Sequence, residues 1–418
     1  MRKICIVGAG YAGLLLGHGL LARGYDVTIV TDRTADEVRS GRIMSNQCLW
    51  GDSLALEREL GLELWGAACP PIPGFDTHVL APDGTVLHRF LAPLTSPGQS
   101  LDQRLKFAAW TELFAARGGR LSIMQVGADE IEALAASYDL VICAAGKGRG
   151  EMKRFFEIDP ARTRYDAPQR FGASIHVRGR RPGDGRDADY ETWAVIPGVG
   201  EFWIFPTLTV HGPGHVICLE GVPGGPLDVW HDVKGPEAHR RGVLALLEQW
   251  LPAESARCRD VALVDDKAFL SGGVAGAVAR PVRVLASGRA VLAVGDAFVL
   301  NDPISQQGAN SAARAARLYI ERIVARADRP FDRAWMEETA ARFWDYARWA
   351  VRLTELYLQP SDRFLDVFRL SARSPRMARM LADSNNDVAP FVAYLDAPER
   401  SGRRSFSPWS DVARSAAA

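Results

Sequence analysis

The sequence predicts an α/β fold in three parts: a parallel-sheet unit, an antiparallel-sheet unit and a run of C-terminal helices. Three observations predict it. A short apolar run at 4–7 leads directly into Gly8, Gly10 and Gly13 and then into an apolar helical stretch. Two more continuous apolar runs, 139–145 and 289–295, have the unbroken character of strands buried on both faces. Between about 168 and 224 the pattern changes to alternating, aromatic-rich segments split by Gly and Pro, as in an antiparallel sheet.

The elements follow in order. The helix after Gly13 runs to about Arg23, with Gly24 as its stop. Residues 26–31 form a second buried strand, which completes a βαβ start. Pro70, Pro71 and Pro73 exclude a helix, and 75–87 reads as a hairpin around Pro82, Asp83 and Gly84. Residues 105–117 form an amphipathic helix closed by Gly118 and Gly119. Strands are expected at 171–177, 190–196, 201–205 and 215–220, then a helix at 237–250. A long Ala-rich helix spans 306–327, and 332–392 is helical with many aromatics. The Ser/Arg/Ala-rich stretch 401–418 reads as a mobile tail.

Composition excludes several classes. Lys+Arg and Asp+Glu are both 50 in 418 residues, so the formal charge is zero. Nucleic acid and anionic membranes demand excess positive charge, so neither is an expected partner. No apolar run approaches the roughly 18 residues of a membrane span. The charged start and apolar run at the N-terminus mimic a signal peptide, but glycines interrupt the run after four residues. Six cysteines without a Cys-x-x-Cys pair read as free thiols in a reducing cytoplasm. Eight histidines show no ligand spacing, so no metal is expected.

The glycines have separate tasks. Gly8 allows a tight turn, Gly10 lets backbone approach a pyrophosphate, and Gly13 lets helix and strand pack closely. Tyr11 and Ala12 open the helix whose N–H groups and dipole face the phosphates. An acidic residue is expected about 20 positions on; Asp32 stands slightly late, so Thr31 is a candidate to share the ribose contact. Arg33 reads equally as a phosphate contact or a solvated charge. A second segment, 293–310, brings a buried strand to Gly295-Asp296, then Asp302-Pro303, then a helix opening at Gln307, Gly308, Ala309 and Asn310. Asp296 suits a ribityl chain, and a positive helix end after Pro303 suits an anionic reduced flavin. The two segments together point to FAD.

These residues resemble the glutathione-reductase-type FAD monooxygenases, with a Rossmann-like FAD-binding domain. Stretch 6–14, Thr31-Asp32-Arg33, Tyr138-Asp139-Leu140, Gly146-Lys147, Gly200-Glu201, Pro206-Thr207-Leu208, Gly295-Asp296, and Asp302-Pro303 with 307–310 narrow the resemblance to the oxygenase component of styrene and indole monooxygenases. The resemblance implies an FAD-binding domain at 1–60, 100–165 and 265–330, a substrate-binding domain at 61–99 and 166–264, and a helical segment at 331–418. It also implies a two-component system, in which a transient NAD(P)H-dependent flavin reductase supplies reduced FAD. With O2 this chain then epoxidises a small aromatic substrate. Single-component aromatic hydroxylases carry Asp-Gly where Ala145-Gly146 stands, so no direct NAD(P)H oxidation is expected. The oligomeric state is open, a homodimer included.

The resemblance assigns site residues too. Segment 42–50 is expected to cross in front of the flavin, with Arg42 on the cofactor. Ser45, Gln47 and Leu49 match the Ser, Gln, Met of indole-preferring members better than the Asn, Val, His of styrene-preferring ones. Ile72 fits the indole pattern, and Phe75 is apolar where the styrene type has His. Ser45 and Gln47 are therefore the expected catalytic positions, and indole the expected substrate; a styrene epoxidase and a single-component hydroxylase are the alternatives. Gln47 suits a heteroaromatic N–H or is a backbone-bonded loop amide. Phe202, Ile204, Pro206 and Thr207 are expected to roof the pocket, while Trp203 and Phe205 read as core, since a strand turns only alternate residues one way. Arg104 reads as a phosphate contact or a surface arginine. Trp335, Trp344 and Trp349 read as core. Gln306 departs from the family, which usually places Gly there.

Overall fold

The structure, a computed structural model, describes residues 1–146, 155–183 and 189–397. Lys147 and the expected tail 401–418 lie outside the described residues.

Six strands form the first sheet, in the order Val282–Val284, Ala290–Ala293, Leu140–Cys143, Lys3–Val7, Asp26–Thr31, Arg120–Ile123. All neighbours are parallel except the edge pair Val282–Val284 with Ala290–Ala293. Ile4, Cys5 and Ile6 are completely buried, as the unbroken apolar run requires. Helix Tyr11–Leu21 is buried on nearly every side because it lies between this sheet and helix Gln307–Arg326. Small residues permit that approach. A Cβ on Gly13 would stand 1.9 Å from the Gly8 carbonyl oxygen, and one on Gly19 would stand 2.3 Å from Ile320 Cδ1.

The second sheet runs Ala262–Leu263, Phe171–Arg178, Gly212–Gly221, Gly200–Thr209, Glu191–Ile196, Pro71–Leu80, Val86–Ser100, Cys48–Leu49, with Phe269–Gly272 also paired to Phe171–Arg178. It differs from the expected antiparallel sheet in one joint: Pro71–Leu80 and Glu191–Ile196 are parallel. The hairpin at 75–87 is longer than its turn signal suggested, because both arms find further partners in the sheet. Cys48–Leu49 and Phe269–Gly272 belong here, although both fall in segments assigned to the parallel unit. Edge hydrogen bonds, invisible in a hydrophobic pattern, decide that membership.

This sheet is covered on both faces. Phe202, Ile204, Ile175 and Ile217 pack toward helix Pro236–Trp250. Trp193, Phe75, Trp203 and Phe205 share a cluster with Tyr357, Phe364, Phe368 and Phe391 of the C-terminal helices Arg333–Leu358, Asp362–Ser371 and Val388–Asp396. Trp335 is buried, whereas Trp344 and Trp349 are only partly so. All six thiols are free. Among the described residues no helix is long and apolar enough to cross a membrane.

Candidate functional site

A cleft of about 510 Å³ lies where the C-terminal ends of the parallel strands face the second sheet. This is the position at which open α/β sheets bind ligands. One wall carries Gly10, Gly146, Gly295, Asp296, Pro303, Gly308 and Ala309. The facing wall carries Ser174, Trp203, Phe205 and Cys218, and segment 42–48 runs between the walls.

The glycine wall fits a dinucleotide. Gly8 has φ +114° and hydrogen-bonds Val30 across the sheet edge, which turns the chain out of the first strand. Gly10 precedes the helix without a side-chain cap. A Cβ on Gly10 or Gly308 would meet nothing within 4 Å, so both leave open space in the cleft. Two helix N-termini, those of Tyr11–Leu21 and Gln307–Arg326, border it and supply free N–H donors. Gly146 packs beneath Asp296, where a Cβ would come within 2.3 Å of the Asp296 Cβ.

Side-chain hydrogen bonds hold segment 42–48 in place. Gln103 Nε2 donates to Ser45 Oγ at 2.6 Å. Asn46 Nδ2 donates to Ser174 Oγ at 2.8 Å, and His176 Nε2 meets Asn46 Oδ1 at 2.9 Å. Asn310 grips the end of the segment: its Nδ2 donates to the carbonyls of Cys48 and Gln306, and its Oδ1 accepts from Trp50 N and Ser53 Oγ. Asn46, Gln103, Ser174 and His176 were missed from the sequence. Gln103, Ser174 and His176 are buried polar residues, and burial is not visible in a primary sequence.

Several expected contacts are corrected. Trp203 and Phe205 line the cleft, while Phe202 and Ile204 point the other way, because strand alternation places the odd residues of Gly200–Thr209 on the cleft side. Thr207 is on the odd face but shares a 2.9 Å hydrogen bond with Ser100, away from the cleft. Pro206 lines a separate hollow with Pro70, Pro71 and Pro73. Leu49, Ile72 and Phe75 are buried and do not line the cleft; Ile72 and Phe75 pack in the apolar layer that also holds Trp203 and Phe205. Arg104 is neither a surface residue nor free for phosphates. It is 4% exposed and its guanidinium is spent on Asp102 at 2.8 Å and Asp265 at 2.9 Å. Burial pushes the Asp102 carboxyl up, but His176 and Arg104 beside it outweigh that and hold it well below the usual carboxylate range.

The remaining residues divide similarly. Arg42 is exposed at the cleft, and Ser45 and Gln47 line it. The Gln47 Oε1 is buried and accepts no hydrogen bond from the described residues. Tyr11 and Ala12 line the cleft too, but the Tyr11 hydroxyl turns inward to Glu57 at 2.8 Å. The side chain of Gln307 turns away to the Asn385 carbonyl, so a ligand meets only its backbone. Thr31 is buried at the end of its strand, and Asp32 and Arg33 pair with each other at 3.4 Å at the surface.

Glu191, beside the cleft, is a fully buried carboxyl whose hydrogen-bond partners among the described residues are uncharged. Its Oε1 accepts from Gln306 Nε2 at 2.8 Å and its Oε2 from Cys48 Sγ at 3.8 Å. Burial pushes it up to about 8, against the lowering effect of those two hydrogen bonds.

Residues 148–257 match the family described as "Styrene monooxygenase A putative substrate binding domain". Over 413 residues the chain is 28% identical to styrene monooxygenase StyA of Pseudomonas fluorescens and 29% identical to StyA of a Pseudomonas species, covering 96% of this chain and 97% of each relative. Along nearly its whole length the chain is similar to styrene monooxygenases, and its middle segment matches their putative substrate-binding domain. Solved structures share the fold of this chain at low identity. The flavin-dependent brominase Bmp2 aligns with a TM-score of 0.63 at 16% identity, over 91% of this chain and 98% of that one. A flavoprotein/dehydrogenase from Cytophaga hutchinsonii aligns with a TM-score of 0.67 at 14% identity, over 94% and 98%.

Two predictions follow from the geometry of the site. Gly10→Val should leave the thermal midpoint nearly unchanged and abolish saturable FAD binding, because its side chain enters open cleft space. Gly13→Ala should lower stability by roughly 3 kcal/mol or more by driving a methyl into backbone. Thermal melts with FAD titrations separate the two; equal effects on melting would refute the assignment. The second concerns pH. The folded chain keeps the Glu191 proton up to about 8, whereas the ordinary carboxyl releases it near 4.5. Unfolding between these values therefore releases a proton, and stability falls as pH rises through that window. Glu191→Gln removes this loss, so its melting temperature relative to wild type should climb from pH 5 to pH 8 and then level off.

Proposed function

We propose that this chain uses reduced FAD and O2 to epoxidise a small aryl alkene of the styrene class. One oxygen atom enters the C=C bond, the other leaves as water, and the two electrons come from FAD reduced by a separate NAD(P)H-dependent flavin reductase. The observation that carries the proposal is the pairing of two unlike walls in one cleft. The glycine and helix-end wall suits the cofactor, and Trp203, Phe205 and Cys218 opposite suit a flat apolar substrate. The names of the two Pseudomonas relatives support styrene as the substrate class.

FAD supplies the oxygen-activating chemistry when bound. Gly10 and the N–H groups of the first helix would hold its pyrophosphate, Asp296 its ribityl chain, and Gly308 and Ala309 the reduced ring through the helix end. The remaining tasks belong to the chain. The segment held by Gln103, Ser174 and Asn310 crosses the cleft and would help to shield it from water. The apolar wall orients the alkene. Ala145 where single-component hydroxylases carry Asp supports the external reductase. The six free thiols support a reducing cytoplasmic setting.

A second reading takes indole as the preferred substrate. One observation favours it: the buried Gln47 Oε1 is a hydrogen-bond acceptor suited to a ring N–H. Ser45, fixed by Gln103, would help hold the segment that carries Gln47.

Purified chain supplied with FAD, NADH and a generic flavin reductase should convert styrene to styrene oxide. Without the reductase it should not bleach FAD with NADH in stopped flow; rapid bleaching would show a direct NADH site and overturn the two-component reading. Gln47→Leu should lower kcat/KM for indole about tenfold relative to styrene, the effect of losing one buried hydrogen bond. An unchanged ratio would remove the indole reading and leave the epoxidase reading intact.

A further inference from the structure

Gln306 immediately precedes the long helix and lines the cleft. Its backbone is left-handed, with φ 54° and ψ 21°, a conformation costing a residue with a Cβ about 1 kcal/mol or more. Glycine would adopt it freely, so something must hold a glutamine there. Glu191 does so. This side chain is 0% exposed, at the start of strand Glu191–Ile196, in register with Phe75 of the neighbouring strand. One of its oxygens accepts from the Gln306 amide at 2.8 Å, the other from the Cys48 thiol at 3.8 Å. Asn310 donates to the backbone carbonyls of the same two residues, Cys48 and Gln306, each at 3.0 Å. The helix start, the segment crossing the cleft and the second sheet are thus tied at one point. Burial pushes the Glu191 carboxyl at that point up to about 8.

We propose that Glu191 is a positioning residue that anchors the Gln306 amide against the second sheet, and that the anchored Gln306 side chain is the part of the cleft wall that limits the size of the aryl group admitted. The proposal rests on the epoxidase reading above and adds a specificity determinant to it. Released from Glu191, the amide is free to swing into the cleft. Replaced by glycine, it leaves a larger cleft and an unstrained backbone.

The test is a double-mutant cycle with Glu191→Leu, Gln306→Gly and the pair, with Glu191→Gln as the conservative variant. The readout is the ratio of kcat/KM for 2-vinylnaphthalene to that for styrene. Gln306→Gly removes a whole side chain and should raise the ratio at least about tenfold, since even one methylene of difference in a pocket is worth that much. Glu191→Leu alone should lower kcat/KM for both alkenes, Glu191→Gln should restore it, and the double variant should match Gln306→Gly. Calorimetric binding of unreactive 2-ethylnaphthalene against ethylbenzene should follow the same order without any turnover. An unchanged ratio in Gln306→Gly would overturn the size limit. An equal effect of Glu191→Leu in both backgrounds would overturn the anchoring, and a misfolded Glu191→Leu leaves Glu191→Gln and Gln306→Gly to decide. Failure of the wild-type chain to epoxidise styrene would instead strike the functional reading, while the binding series would still judge the wall.

Discussion

The close approach of the first strand, the helix after it and the long helix Gln307–Arg326 constrains everything else in this protein. Where Gly13 meets the Gly8 carbonyl there is no room for a single methyl group, and one at Gly19 would have to displace the end of the Ile320 side chain. That contact draws the two helix starts to the same edge of the parallel sheet. Two sets of free backbone N–H groups, almost three hundred residues apart in the chain, then border one cleft. Neither set needs a charged side chain to favour an anionic ligand, because the donors and the helix dipoles are part of the backbone. Arg104, buried beside the site, is taken up by Asp102 and Asp265.

The second sheet closes this edge into a cleft. Its cleft-side residues, Trp203 and Phe205, belong to the same apolar cluster as the C-terminal helices, so that wall is backed by a packed layer. Phe75, Trp193 and Phe368 lie in that layer, with Trp193 and Phe368 rings 5.5 Å apart. The segment crossing the cleft is held by side-chain hydrogen bonds as well as by the buried Ile43 and Cys48, so its position depends in part on polar groups being satisfied. Removing one partner there strands another, which makes the cover unusually sensitive to single substitutions.

Much of this architecture could be read before any coordinates. The unbroken apolar runs became parallel strands, the aromatic alternating runs became the second sheet, and Gly24, Gly118 and Gly119 stand just beyond helix ends. These features are local: they depend on which side chains follow one another and on the few residues that tolerate a turn. The face of a strand is also periodic, but its phase is not. Nothing in the order Phe202, Trp203, Ile204, Phe205 says which pair meets the cleft, since all four are apolar. Pairing with Cys218 and Ile217 of the next strand sets the phase.

Residue order alone determined the α/β class, the glycine turn into a buried helix and the second Gly-Asp segment, because each is a property of short-range sterics and hydrophobic period. Only the tertiary structure decided that Arg104 is bound by two carboxyls, that Gln307 turns away while Gln306 is tied to Glu191, and that Asn46 and His176 hold the covering segment. Those outcomes depend on which groups lose water together when distant segments meet, and desolvation is a property of the assembled interior rather than of any stretch of chain.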